Sequence, residues 1–488
     1  MNRKLIQFLL ILNVLAIQSC SKINYLEKCW EKQVKPIQEE LTEISFKEKR
    51  NQLGHNSQPW EKSKYSVIGR IWIGGNKFLK LDTIITSRGN KYFSKTNYSN
   101  DILLYQDYGE NKLASVTKDM VFEELIKSAR YSPINLIEYF INNQSLVSEE
   151  TNQEYTIYSL NTEDKEIDIW IDNKKFLVTK ITHLYNHDLY GDVKTTYSYS
   201  NYKNLHDSLW YANKIGIKKI NGKIVDEVIL DTLKISDDRE LKLINKPEGY
   251  KIQESTEINK PKIKVNQYNE FIHLIELEHT DDRVMVVEFD EFLLVAEAPL
   301  NSDNGELIII EARKIAPSKP IRYFVFGHHH QHYLGGLRAF VHKEATIICT
   351  EINKEYVEFI ANAQHAIKSD SLHLYPKPLK TEIVKDNISI GEKNKMIIYF
   401  IGEKSKHTKD YLIYYFPDQN LLFQDDLCWI PKEGEIGKAR DRQAGLYHAI
   451  KELNLEVDTI IQSWPVKDYG VKTIIPFKDL ETSMGRKK

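Results

Sequence analysis

Four histidines fall within five positions of the segment 327–336, which reads Gly-His-His-His-Gln-His-Tyr-Leu-Gly-Gly. A neutral imidazole offers one nitrogen lone pair and is the commonest protein ligand for transition metals. His328 and His330, on alternate positions of a short loop after an apolar run ending at Phe326, can aim two rings at one point. The simpler alternative is an exposed loop, or a few histidines satisfied by hydrogen bonds. Ligands arriving from elsewhere in the chain would decide between them.

Aligned on Gly335 and Gly336, the segment resembles the metal-binding loop of the metallo-β-lactamase superfamily, H-x-H-x-D-H-x-G-G. His328 and His330 then take the first two ligand positions. His332 replaces the family's aspartate and Tyr333 its third histidine. The resemblance continues downstream. His407, just before the apolar stretch 411–416, matches a later histidine. Asp426, ending 421–426 (Leu-Leu-Phe-Gln-Asp-Asp), matches a later aspartate, with Asp425 where the family has glycine. Trp464, after Val457-Asp-Thr-Ile, holds the place of the last histidine.

What the resemblance implies is one metal site of His328, His330 and His407, with Asp426 as a further ligand or as the catalytic proton acceptor. Three histidines and a water suffice for a catalytic zinc, and one zinc ion is the expected cofactor. The second site is largely lost, because tyrosine is a poor neutral ligand and tryptophan offers no lone pair. The implied activity is hydrolysis of an ester, amide or similar bond. The competing expectation is an inactive relative kept as a binding or scaffolding module. Glu297 sits where the family often has an aspartate at a strand end, and reads as a supporting or surface carboxylate.

The elements around these residues alternate between strand and helix. Segments 284–289, 292–298 and 321–326 read as strands, and 305–315 and 335–342 as helices, which indicates a layered α/β domain. The order fits the αββα sandwich that the resemblance implies over residues 268–488. Earlier, segments 67–73, 79–85, 91–98, 155–160, 167–171, 194–199, 215–220 and 225–230 alternate apolar and polar residues. They predict a mainly antiparallel β domain over residues 61–245, with a helical insert at 118–143. Asn221-Gly222 is a strong two-residue hairpin signal. The sheet is similar in architecture to the half-barrel of periplasmic lipoprotein carriers, so a small molecule or a lipid is an expected ligand; a plain docking role is the alternative. Residues 20–60 read as a helical segment, and the Pro, Lys and Asn content of 246–267 reads as a linker.

Composition narrows the partners. The chain has 488 residues, 41% hydrophobic and 28% charged, with a net charge of −2. That is ordinary for globular protein and gives no electrostatic footprint for nucleic acid. Residues 1–19 combine a basic start with an apolar stretch too short to span a bilayer, and so read as a signal peptide. Cys20 follows directly, resembling a bacterial lipoprotein signal. A lipid at Cys20 would tether the protein to a membrane of the bacterial cell envelope. Of the other cysteines, Cys349 and Cys428 are either a disulfide pair or buried core thiols.

Overall fold

A computed structural model describes residues 24–37, 40–75, 77–99, 102–107, 111–115, 118–236, 251–253 and 261–485. The expected signal peptide and Cys20 lie outside the described residues. No described helix is long and apolar enough to cross a membrane.

The expected N-terminal helix is shorter than its composition suggests. It covers Tyr25–Gln33, where the Asn24 side chain accepts from the Glu27 backbone N–H as an N-cap. Leu41–Gln52 is instead a strand, paired antiparallel with both Ser63–Gly74 and Ile224–Ser236. Its inward face runs Ile44, Phe46, Glu48, all buried. A charged residue on that face hides the period-2 pattern, and Glu48 is inside because Arg130 and Arg50 pair with it. The β domain therefore begins near residue 41 rather than 61.

Among the described residues this sheet has fourteen strands, with Leu41–Gln52 in its middle. It packs one face on three helices, Tyr25–Gln33, Lys118–Ser128 and Ile134–Asn142, the last two being the expected insert. Leu136, Ile137 and Phe140 share that core with Ile71, Ile169 and Ile215. Asn221-Gly222 does join two paired strands, but the connection is four residues long, 220–223, with positive φ at Ile220, Asn221 and Gly222.

Part of the expected linker is sheet. Lys251–Gln253 pairs in parallel with Asn111–Ser115, and Ile263–Gln267 is an edge strand beside Ile272–Leu277. An edge strand exposed on most of its surface can be as polar as a linker, which is why composition misled. Residues 246–250 and 254–260 lie outside the described residues.

The C-terminal domain has four layers. A seven-stranded sheet from Ile263–Gln267 to Lys380–Val384 faces a six-stranded sheet from Asn387–Ile390 to Ile474–Pro476. Met285, Leu294 and Val325 of the first meet Met396, Tyr414 and Phe423 of the second in the central core. Helices Ser302–Ile315, Leu337–His342 and Lys354–Asn362 cover the first sheet. Asp441–Glu452 and Phe477–Ser483 cover the second. This is the expected αββα sandwich. Cys349 lies under the first helical layer and Cys428 under the second, both as buried free thiols, so the disulfide reading is set aside.

The two domains meet beside the histidine loop. Trp60, between strands Leu41–Gln52 and Ser63–Gly74, enters a box of Tyr190, Tyr356 and Phe359 with ring centroids 4.9–5.6 Å away. The Asp192 N–H donates to the Gln364 carbonyl at 2.7 Å. Gly191 is required there, since a Cβ would stand 2.0 Å from that oxygen.

Glu48 makes the N-terminal domain acid-sensitive. Burial alone would raise its pKa, but the charges of Arg130 and Arg50 win and lower it from 4.5 to about 2. A depressed carboxylate stabilises the fold above its unfolded value, and the gain is lost as pH falls toward the folded one. Glu48→Gln should cost on the order of 3 kcal/mol at neutral pH and flatten the stability profile between pH 4.5 and about 2, as read by urea unfolding.

Candidate metal centre

The loop follows the C-terminal end of strand Ile321–Val325, and His330 directly precedes the short helix Gln331–Leu334. His407 comes from the turn before strand Leu412–Phe416. One nitrogen each of His328, His330 and His407 lies within 4.8 Å of the other two. The three expected rings do converge.

Each ring is held from behind. His328 Nδ1 stands 2.6 Å from Asp425 Oδ2, and its Nε2 faces His330 Nδ1 at 2.9 Å. His330 Nε2 is 3.1 Å from the Asn56 carbonyl oxygen, which can only accept, so the His330 proton sits on Nε2 and Nδ1 carries the lone pair. Burial, then neighbouring imidazoles, pushes His330 down to about 3 and His328 well below its ordinary value. Both are neutral rings, the form that ligates metal.

Asp425 was legible only as a departure from the family's glycine. In the structure it orients His328 and is itself part of a buried pair. Burial pushes Glu297 up to about 8, and burial with the Glu297 charge pushes Asp425 well above the carboxylate range. The two acids lie side by side, and Asp425 Oδ2 is within hydrogen-bond reach of His328 Nδ1. Glu297 also accepts from the Gly327 N–H at 3.1 Å and the Tyr414 hydroxyl at 2.8 Å. It is a supporting carboxylate, buried rather than at the surface. Gly327 makes room for the pair, since a Cβ there would meet Asp425 Oδ2 at 2.1 Å.

These tautomers fit a cation. With both remote nitrogens protonated, the lone pairs of His328 Nε2 and His330 Nδ1 point together across 2.9 Å. Such a contact is repulsive unless a positive centre lies before them. His407 brings the third ring to the set, with its Nε2 3.4 Å from Asp426 Oδ2.

Asp426 lies beside this set rather than within it. Its Oδ2 is 3.4 Å from His407 Nε2 and 3.0 Å from Arg442 Nη1. Burial would raise its pKa, but His407 and Arg442 reverse this and hold it below the usual range, as a carboxylate. Arg442, on helix Asp441–Glu452, carries no sequence signal that marks it as part of the site. The altered positions are all engaged elsewhere. His332 Nδ1 is 3.1 Å from Asp282, whose hydrogen bond raises the His332 pKa. Tyr333 packs its ring on His328 at 4.4 Å between centroids. Trp464 packs against Trp429 and donates its backbone N–H to the Asp425 carbonyl. His329 turns away to Asp410, which accepts from its backbone N–H at 2.8 Å.

A cavity of about 500 Å³ opens beside the centre, between the domains. His330, His332, Trp60, Tyr190 and Tyr356 line it. A second cavity of about 420 Å³, under the front sheet, shares Gln52, Tyr185 and Lys219 with it.

No protein-family model matches the chain, and no curated protein matches it in sequence. Over the C-terminal domain it is similar to solved metallo-β-lactamases. FIM-1 from Pseudomonas aeruginosa, in a mono-zinc form, is 16% identical with a TM-score of 0.34, over 46% of this chain and 93% of that one. The enzyme from Pontibacter korlensis is 14% identical with a TM-score of 0.33, over 46% and 97%. That from Hirschia baltica is 15% identical with a TM-score of 0.32, over the same shares.

Removing a carboxylate behind a ligating histidine typically costs about 10–100-fold in metal affinity. Asp425→Ala should show that loss in competition with a chromophoric chelator. An unchanged affinity would mean that Asp425 does not set the His328 ring.

Proposed function

We propose that the protein is a metal-dependent hydrolase working with a single ion, held by His328, His330 and His407. The observation that carries this reading is the set of three imidazole nitrogens, one from each ring, within 4.8 Å of one another. Three nitrogen donors and an open fourth side suit zinc. An ion of that kind supplies Lewis acidity and lowers the pKa of a water to about 7.

The chain's own residues do the rest. Asp426, kept ionised by Arg442, stands beside His407 where it can take a proton from an attacking water. The interdomain cavity would hold an ester, amide or similar bond with its substituents against Trp60 and Tyr190. The ligand is a small polar molecule rather than a lipid on this reading, because Arg50, Lys80, Glu124 and Arg130 wall the adjoining cavity. One contact favours the second reading, a binding module without catalysis. Arg442 already pairs with the carboxylate that catalysis would use.

The segment 1–20 supports placement in the cell envelope with a lipid on Cys20. Cys20→Ser should then move the protein from the membrane fraction to the soluble fraction of the producing cell, as seen by fractionation.

The purified protein should retain one equivalent of zinc by elemental analysis, and His407→Ala should lose it. Protein that retains no metal after zinc loading and desalting would rule out the hydrolase reading and leave the binding module.

A further inference from the structure

His55 lies at the mouth of the centre, on the turn that joins strands Leu41–Gln52 and Ser63–Gly74 of the N-terminal domain. Its Nδ1 is 3.4 Å from His330 Nδ1, and the two rings meet edge to face with centroids 4.8 Å apart. Two nitrogens bound tetrahedrally to zinc at ~2.0–2.1 Å stand about 3.4 Å from each other. His55 is thus spaced from His330 as a co-ligand would be.

The turn that carries it is built, not loose. The Asn56 N–H donates to the Gly54 carbonyl at 2.8 Å, and the Ser57 N–H and hydroxyl donate to Glu61 Oε2 at 2.9 and 2.5 Å. The Lys409 N–H, two residues past His407, donates to the Ser57 carbonyl at 2.6 Å. Trp60 anchors the far end in its aromatic box. The same turn presents the Asn56 carbonyl that fixes the His330 tautomer.

His330 Nδ1 has one lone pair and cannot serve both an ion and a hydrogen bond from His55. With the lone pair on an ion, His55 must either leave or bring its own nitrogen to the same centre. The other approaches are filled: His332 is paired with Asp282, and Tyr333 covers His328.

We propose that His55 is a fourth imidazole of the resting metal centre, one that must yield its place for water to reach the ion, so that the N-terminal domain supplies part of the site. The proposal rests on the three-histidine reading given above. His55 lies outside the set of three mutually close nitrogens, so closing on the ion takes a small rotation. His55 is an exposed residue, so such a rotation meets no buried packing around the whole side chain.

The test uses the full chain, zinc and cobalt(II). His55→Ala should weaken zinc retention at least tenfold in chelator competition and change the visible absorption of the cobalt-loaded protein. Thermal unfolding of the metal-free variant should match the parent, because the removed ring is exposed. Equal zinc affinity and an identical cobalt spectrum in parent and variant would overturn the role of His55 while leaving the three-histidine site standing. A parent protein that binds neither ion would overturn both.

Discussion

The site depends on proton placement at two imidazoles. His328 and His330 each have a nitrogen turned to the other, and each has its remaining nitrogen on an acceptor that fixes where the proton sits. An acceptor behind the ring makes the front nitrogen a lone-pair donor and raises its basicity. For His328 that acceptor is a carboxylate from the second sheet of the same domain. For His330 it is a backbone carbonyl from the other domain. The geometry of the histidine group and domain docking are consequently one problem in this chain.

The departures from the two-metal pattern read as a coherent rearrangement. An aspartate in the place of the family's glycine would be a buried, unpaired charge if nothing else changed. Here Glu297 lies beside it, His328 Nδ1 meets its Oδ2 at 2.6 Å, and Gly327 leaves the volume it needs. On the second-site side, a histidine replaces the family's aspartate and finds Asp282, while a tyrosine ring fills space against His328. His332 is paired with Asp282 and the Tyr333 ring packs on His328, so neither side chain is left without a partner. One approach to the centre is thereby closed and the interdomain approach is left.

How much of this could be read from the residues varies with the kind of signal. His328, His330 and His407 were legible because ligands must come in a fixed order on fixed elements. The αββα layering was legible because strands and helices alternate with clear periods. Leu41–Gln52 was not: Glu48 on its inner face is compensated by Arg130, whose approach depends on the fold. Ile263–Gln267 was not, because a solvated edge strand has the composition of a linker. Asp425 read as a loss, since its partners Glu297 and Gly327 come from other strands. His55 carries no motif at all, being placed at the site by a hairpin turn and by Trp60 docking on a distant helix.

That last case bears on what the N-terminal sheet is for. A docking platform needs only surface complementarity, which the Trp60 box and the Asp192 contacts already supply. It does not need a turn whose carbonyl meets His330 and whose imidazole reaches the same nitrogen. Gln52, Tyr185 and Lys219 also line both the cavity under the sheet and the one beside the centre. Lys219 is held against Asp226 at 2.8 Å, within the same ion-pair network as Arg130 and Glu48. The ion-pair network that stabilises the front sheet therefore reaches the interdomain cavity at Lys219, and polar groups of the N-terminal domain border the space beside the three rings.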